Sequence, residues 1–182
     1  MPTFVIKTSR MILRPWRNED YAPYAALNAD PEVRRYFPAT LNREESDAQA
    51  AGLQKHIEKY GFGFWAAEVP GIARFIGFVG LKQVGPDLPF APAVEAGWRL
   101  ARDYWGRGYA KEGAQASLAD GFGRLGLKEI VAYTVTVNAP SRRVMERVGM
   151  THDPADDFDH KDREPNDPNR RFVVYRKRSD EL

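Results

Sequence analysis

The chain has 182 residues, of which 43% are hydrophobic, and its formal net charge is +2. It contains no cysteine, which excludes a thiol nucleophile, a Cys-ligated zinc or iron–sulfur site and a disulfide scaffold. The three histidines share no short spacing, so the sequence predicts no metal site. The near balance of 27 basic and 25 acidic residues argues against nucleic-acid binding. This length is typical of one domain, and we expect residues 1–182 to form a single one.

Residues 1–16 show neither the long apolar segment nor the small-residue cleavage site of a signal peptide. No stretch approaches the roughly 18 consecutive apolar residues that a membrane-spanning helix needs. The sequence therefore predicts a cytoplasmic protein without a membrane partner.

The first elements predicted are one strand and two short helices. Residues 11–16 have the composition of a strand, which Pro15 ends. Residues 18–28 predict a helix with Asn18 as its N-cap, because acidic residues fill its first turn. A second short helix is expected to begin at Pro31, since proline suits the first helical position.

A longer helix and a hairpin come next. Apolar residues recur mostly every three or four positions over residues 42–59, which predicts a helix that Gly61 ends. Residues 62–69 and 75–84 are rich in aromatic and β-branched residues, and a Pro-Gly pair separates them. They predict two strands joined as a β-hairpin.

After a proline-rich loop over residues 85–92, the segment 94–100 alternates between two faces and predicts a strand. One face carries Val94, Ala96, Trp98 and Leu100, and the other carries Glu95, Gly97 and Arg99.

The last part of the chain alternates helices with strands. A turn at residues 102–108 precedes a helix whose apolar residues form one stripe. That stripe consists of Ala110, Ala114, Leu118, Phe122 and Leu125. A strand over 129–137 and a helix over 138–147 follow, and a polar, acidic loop over 153–169 precedes a final short strand over 172–176. This mixture is typical of an α+β or mixed α/β layered fold.

The turn before the stripe-bearing helix is the most informative segment for chemistry. Gly106 and Gly108 allow backbone amides to point into one concavity at a helix N-terminus, where phosphate oxygens bind well. Arg102 and Arg107 would add positive charge. A tight turn with glycine at positive φ is the alternative interpretation. Lys111 stands where a dinucleotide-binding fingerprint needs glycine, and the sequence holds no Gly-Lys-Ser/Thr phosphate loop.

Three segments together resemble a known superfamily. They are TSRMILRPWRNEDY, EAGWRLARDYWGRGYAKEGAQASLADGF and VNAPSRRVMERVGM, in this order along the chain. The chain is similar, from residue 8 to about 150, to the GNAT acetyltransferases and among them to the RimJ/RimL-like branch. This resemblance implies a GNAT-like α+β fold, with a central, mostly antiparallel, twisted sheet that splays at the cofactor site and is flanked by helices.

The resemblance also implies acetyl-CoA as co-substrate, no metal, and a set of cofactor-binding residues. The strand over residues 96–100 would bind the pantetheine arm through its backbone, the glycine turn would hold the pyrophosphate, and the start of the helix over 138–147 would lie beside the cofactor. The cofactor-binding residues are then Trp98, Arg99, Leu100, Gly106, Arg107, Gly108, Tyr109, Ala110, Asn138 and Ser141.

The predicted catalytic residues are Glu95 and Ser141. Glu95 lies on the predicted cofactor strand and would act as general base on the acceptor amine, directly or through water. An ion pair with Arg99 is the alternative role for Glu95, and Glu68 is the second candidate base. Many family members carry a tyrosine as general acid where this chain has Met145, which cannot donate a proton. Ser141 or a water must replace it, or the thiolate leaves unassisted.

Several residues have a structural alternative to a functional role. Asn138 can cap a helix as well as contact the cofactor. Trp16 and Trp65 can line an acceptor pocket or pack in the core, and His160 can be catalytic or an ordinary surface histidine. The acidic loop would favour a cationic acceptor if it overhangs the pocket, unless the basic C-terminal segment balances it.

The predicted function is transfer of an acetyl group from acetyl-CoA to a primary amine of a protein N-terminus or a small molecule. The alternatives are a polyamine or antibiotic acetyltransferase and a non-catalytic acyl-CoA sensor. A nucleic-acid or ribosome-binding role of the basic C-terminal segment is the weakest alternative. A homodimer is compatible with the sequence.

Overall fold

A computed structural model describes residues 4–181 of the chain, which form a nine-stranded sheet and four α-helices. The strands are β1 (Ile6–Lys7), β2 (Ile12–Arg14), β3 (Phe64–Val69), β4 (Ala73–Gln83), β5 (Val94–Leu100), β6 (Glu129–Val135), β7 (Thr151–His152), β8 (Phe158–Asp159) and β9 (Arg171–Arg178). The helices are α1 (Tyr21–Ala29), α2 (Arg43–Tyr60), α3 (Tyr109–Gly123) and α4 (Ala139–Arg147). No helix of residues 4–181 is long and apolar enough to cross a membrane.

The order of strands in the sheet is β1-β2-β3-β4-β5-β6-β9-β7, with β8 paired to β9. The pairing of β5 with β6 is parallel, and all other strand pairs among the described residues are antiparallel. The two parallel strands share a single register pair, Glu95 with Val131, and therefore separate beyond it. This confirms the predicted α+β fold with a mostly antiparallel, splayed sheet.

Helices cover both faces of the sheet. On one face α3 approaches closely through small residues: a Cβ on Gly113 would lie 2.9 Å from Val79, and one on Gly121 would lie 2.6 Å from Leu81. On the other face the Tyr24 ring of α1 packs 6.2 Å from the Phe78 ring. Phe78 and Arg99 are register partners, so the β5 face that carries Glu95 and Arg99 points toward α1 and α2.

The capping predictions have different outcomes at the first two long helices. Gly61 ends α2 with φ 71°, as predicted. The helix also has a cap that was not predicted, since the Asn42 side chain accepts a hydrogen bond from the Glu45 amide at 2.9 Å. The prediction of Asn18 as a cap is wrong. Residues 18–20 form a turn of 3-10 helix, in which the Asp20 carboxylate accepts the Arg17 amide at 2.8 Å.

The helix predicted at Pro31 is also wrong. Residues 31–36 form turns, with a hydrogen bond from the Arg34 amide to the Asp30 carbonyl at 3.1 Å. Pro38 explains the difference, because it has no N–H and disfavours a helical conformation for the residue before it.

The C-terminal part contains more strand than predicted. The last strand, β9, has eight residues and pairs with β6 along its length, whereas the sequence predicted a shorter one. β6 ends at Val135 rather than 137, because the Asn138 amide turns back to the Val135 carbonyl at 3.0 Å. The two-residue strands β1, β7 and β8 were not predicted, since segments this short carry no periodicity.

Candidate active site

The glycine turn and the start of α3 present a row of free backbone donors. Gly106 has φ 71° and Gly108, the residue before α3, has φ 83°, a region that favours glycine. The Glu112 amide makes the first hydrogen bond of the helix, to the Gly108 carbonyl. Among the described residues, the amides of 106–111 have no acceptor. Free amides at a helix N-terminus are the donors that a pyrophosphate needs.

The N-terminal segment holds this turn in place. Arg10 donates to the Arg107 carbonyl at 2.9 Å and forms an ion pair with Glu112 of α3 at 2.6 Å. A Cβ on Gly108 would lie 3.2 Å from Arg10 Nη2. A larger residue at this position would therefore crowd the turn in addition to straining its backbone.

The separation of β5 from β6 leaves one edge of β5 uncovered. Beyond Glu95, no residue of β5 has a register partner on β6 within the part of the chain that the structure describes. Trp98 and Arg99 are half-buried and Leu100 is buried. The Leu100 carbonyl already accepts a hydrogen bond from Trp105 Nε1 at 2.7 Å. Beyond this bond, the backbone groups on the uncovered side are open to an extended ligand such as a pantetheine arm.

Glu95 lies at the point where the strands separate. Its side chain is 14% exposed, and its nearest ion-pair partner is Lys82 on β4, at 3.8 Å. Burial raises the pKa of Glu95 to about 7, while Lys82 and the Tyr133 hydroxyl on β6 oppose the increase. Arg99 forms no ion pair with it among the described residues, so the alternative role predicted for Glu95 is wrong. A carboxyl group with this pKa suits proton transfer at neutral pH.

The start of α4 has the predicted local structure. The Asn138 side chain accepts a hydrogen bond from the Ser141 amide at 3.3 Å and donates to Thr134 at 2.9 Å. Met145 is 2% exposed and packs in the core. The helix cap at Asn138 is thus confirmed, and the position of the family's tyrosine is occupied by a buried thioether.

Other candidates from the sequence have structural roles. Glu68 on β3 pairs with Arg14 at 2.7 Å and with Arg17 at 3.5 Å, two strands away from β5. Trp16 and Trp65 are 5% and 3% exposed and belong to the core. His160 is half-buried, with its ring 5.4 Å from the Phe172 ring.

The acidic loop and the basic C-terminal segment neutralise each other. The ion pairs join Asp156 to Arg176 and Asp159 to Arg170 and Arg171. These contacts confirm the balancing role of the basic segment, and they leave little free negative charge there to attract a cationic acceptor.

Tyr133 and the role of the Arg99 side chain were missed by the sequence analysis. Tyr133 lies against Glu95 only because β6 runs parallel to β5 in a register that the sequence does not show. Arg99 was expected to contribute its backbone, whereas its side chain enters a polar pocket between β5, α1 and α2. Its position on the Glu95 face follows from strand alternation, but the content of the pocket depends on helix packing.

In that pocket, Arg99 Nη1 donates to three neutral groups: Asn28 Oδ1 at 2.9 Å, Gln49 Oε1 at 3.1 Å and the Tyr24 hydroxyl at 3.4 Å. Its buried Nε has no hydrogen-bond partner among the described residues. Burial lowers the pKa of Arg99 to about 10, and no carboxylate within residues 4–181 opposes this shift.

Comparison with known proteins agrees with this geometry. The profile of the acetyltransferase (GNAT) domain matches residues 10–151. The chain is 32% identical over 154 residues to the FsC-acetyl coenzyme A-N(2)-transacetylase of Aspergillus fumigatus, a match that covers 81% of this chain and 65% of that protein. The chain thus spans slightly less than two thirds of this relative.

Solved structures of acetyltransferases have the same fold. A GNAT-family acetyltransferase from Bacillus anthracis superimposes with a TM-score of 0.79 at 23% identity, covering 97% of this chain and 99% of that one. The ribosomal-protein-S5-alanine acetyltransferase of Vibrio fischeri gives a TM-score of 0.71 at 16% identity, over 97% of each chain. At these identities the similarity establishes the fold, and the RimJ/RimL-like branch stays a prediction. The chain belongs to the GNAT family and is an acetyl-CoA-dependent N-acyltransferase.

Proposed function

We propose that this enzyme transfers the acetyl group of acetyl-CoA to a primary amine of a small molecule or a protein N-terminus, in the cytoplasm. The observation that carries the proposal is the placement of Glu95 at the point where β5 and β6 separate. The acetyl-CoA and nitrogen acceptor in the name of the fungal relative support it. The sheet extends from β1 to β9, which supports one domain over residues 1–182.

The cofactor would lie along β5 with its pyrophosphate at the start of α3. The amides of residues 106–111 would donate to the phosphate oxygens, and the uncovered edge of residues 98–100 would bind the pantetheine arm. Asn138 and Ser141 would approach it from the start of α4. The fit is good because both regions present backbone donors that the described residues leave unused.

Glu95 would act as the general base. An alkylammonium with a pKa near 10 leaves only about one part in a thousand as neutral amine at pH 7. The ionised Glu95 carboxylate would take the ammonium proton, directly or through water. The amine nitrogen then bonds to the thioester carbonyl carbon and the carbon–sulfur bond breaks, so that CoA leaves as a thiolate while the new amide nitrogen still has one proton to lose.

The thiolate must finally receive a proton, which the buried Met145 cannot supply. Ser141, in the first turn of α4, and Tyr133, beside Glu95, are the two hydroxyl groups that we propose for this step. The hydroxyl would relay the remaining nitrogen proton to the thiolate, and Glu95 would release the proton that it has accepted to solvent. A relay suits Tyr133 because burial and the charge of Glu95 raise the pKa of its hydroxyl.

Two variants test the proposal in an assay of amine-dependent thiol release. Glu95→Gln should lower kcat by about 10²-fold or more at neutral pH, and the deficit should shrink at high pH as solvent deprotonates the amine. Equal rates from pH 6 to pH 9 would contradict the base assignment. Binding of acetyl-CoA without thiol release for any amine would favour a non-catalytic acyl-CoA sensor. Met145 is compatible with such a sensor, because methionine cannot donate the proton that the family's tyrosine supplies.

Gly108→Val should weaken acetyl-CoA binding at least about tenfold, or about 1.4 kcal/mol, measured by calorimetry. Gly126→Val is the matched control, because Gly126 also has positive φ, 64°, but lies beyond the other end of α3 with no atom near its Cβ position. Equal affinities of the two folded variants would contradict the phosphate-turn assignment.

A further inference from the structure

The pocket around Arg99 contains a second arginine, Arg34, which forms no ion pair with a carboxylate among residues 4–181. Arg34 is 7% exposed and donates from Nε to the Ala39 carbonyl at 2.9 Å. The guanidinium carbons of Arg34 and Arg99 each lie 4.4 Å from the centre of the Phe37 ring. Phe37 is 40% exposed, so the ring that both cations contact reaches solvent.

Negative charge is scarce around these cations. Burial lowers the pKa of Arg34, and the one carboxylate whose charge opposes this is Glu45. Glu45 is occupied in the cap of α2, where it accepts the Asn42 amide at 2.8 Å. Burying an arginine without a counter-ion is costly, so a fold that keeps two such residues together leaves a place for an external anion.

The head of Arg99 is also held in a fixed orientation. Asn28 is fully buried and donates to Ser46 at 2.9 Å, which turns its Oδ1 toward Arg99. The Gln49 Oε1 oxygen accepts hydrogen bonds from both the Tyr24 hydroxyl and Arg99 Nη1, so Tyr24 helps to hold Gln49 against Arg99. These contacts occupy Nη1 and leave Nε unbound. The Nε side of a guanidinium is one of the edges that bind a carboxylate or phosphate in bidentate fashion.

The location of Arg99 connects it with the transfer reaction. Glu95 and Arg99 lie on the same face of β5, four residues and thus about 13 Å apart along the backbone. An acceptor that places its amine at Glu95 therefore extends its other end toward Arg99.

We propose that Arg99, assisted by Arg34, binds an anionic group of the acyl acceptor, a carboxylate or a phosphate. This inference rests on the proposed function, since it specifies the acceptor of that same site. The acceptor is then an amine whose negative charge lies far enough from its nitrogen to span the distance between Glu95 and Arg99, rather than a polycation.

Matched pairs of acceptors test the inference. The panel contains ω-amino carboxylates from glycine to 12-aminododecanoate, each with its carboxamide, and ω-aminoalkyl phosphates of the same lengths, each with its ω-amino alcohol. The wild type should prefer the anionic member of its best pair by at least about tenfold in kcat/KM, or about 1.4 kcal/mol. Which series responds distinguishes carboxylate from phosphate.

Arg99→Gln should abolish this preference by raising KM for the anionic acceptor, while KM for acetyl-CoA stays unchanged. Arg35→Gln is the control. Arg35 is the neighbour of Arg34 in the turns after α1, but it is 55% exposed and pairs with Glu32 at 3.6 Å. A preference that persists in Arg99→Gln, or that both variants lose equally, would overturn the inference.

An acceptor-independent measurement separates this inference from the proposed function. The melting temperature of the wild type should rise in acetate or phosphate relative to chloride at equal ionic strength, by more than that of Arg99→Gln. Anion binding at the start of α3 is common to both proteins and cancels. If anions stabilise only the wild type and no amine is acetylated, the proposed function fails and the anion site stands. If the two proteins respond alike and acceptors are not discriminated, the anion site is wrong.

Discussion

Arg14 is buried and Arg99 is half-buried, and the surroundings of their guanidinium groups differ. Arg14 is 3% exposed, and its guanidinium makes five hydrogen bonds. Both oxygens of Asp20 accept from it, at 2.8 and 2.9 Å, and Glu68 accepts at 2.7 Å. Arg99 instead contacts neutral oxygens through one nitrogen, and its Nε has no partner among the described residues.

The pKa values follow these surroundings. Burial acts to lower the pKa of Arg14, but the hydrogen bonds and charges of Asp20 and Glu68 outweigh it and raise that pKa. Burial lowers the pKa of Arg99 to about 10 because no carboxylate opposes it. The buried charge of Arg14 is balanced within the chain and therefore holds elements together, namely β2, β3 and the turn before α1. A buried charge that the chain leaves unbalanced is available to a ligand.

The largest expected effect is on the balanced cluster. Arg14→Gln should lower the free energy of unfolding by about 3–5 kcal/mol, because it leaves Asp20, which is 2% exposed, as a buried carboxylate without its cation. Urea unfolding at pH 7 measures this. A loss below about 1 kcal/mol would show that the cluster contributes little to the fold and would break the comparison.

A smaller effect is expected from the third buried charge, Glu95. Its pKa rises from 4.5 in the unfolded chain to about 7 in the fold, so the folded protein binds more protons between these pH values. Stability should therefore be full below pH 4.5 and fall as the pH rises through 7, by at most about 3–4 kcal/mol. The difference in unfolding free energy between wild type and Glu95→Gln isolates this slope. A difference that does not change with pH would contradict the raised pKa.

Much of the fold was predictable from local patterns. The glycine turn, the caps at Asn42 and Asn138, and the alternation of β5 are encoded by neighbouring residues, and the structure has each of them. The prediction of a helix cap failed where a contact with another part of the chain determines the local structure. Asp20 accepts the Arg17 amide while it pairs with Arg14, so Asn18 is not the cap.

The candidate site was predictable only in part, for the same reason. Strand alternation places Glu95 and Arg99 on one face, and the motif resemblance suggests a cofactor along β5. The raised pKa of Glu95 needs the burial that the packed sheet provides, and its contact with Tyr133 needs the β5–β6 register. The lack of a carboxylate near Arg99 depends on which side chains α1 and α2 bring to it, and no local pattern contains that information.

The smallest expected effect is also the most direct test of the central claim, that the charge of Arg99 serves a ligand rather than the fold. It is the free energy of unfolding of Arg99→Gln without ligand, measured by urea at pH 7 beside Arg14→Gln. We predict a change below about 1 kcal/mol, because the groups that accept from Arg99 Nη1 are neutral and no carboxylate among the described residues loses a partner. A loss of about 3 kcal/mol or more, equal to that of Arg14→Gln, would contradict it and make Arg99 a structural residue.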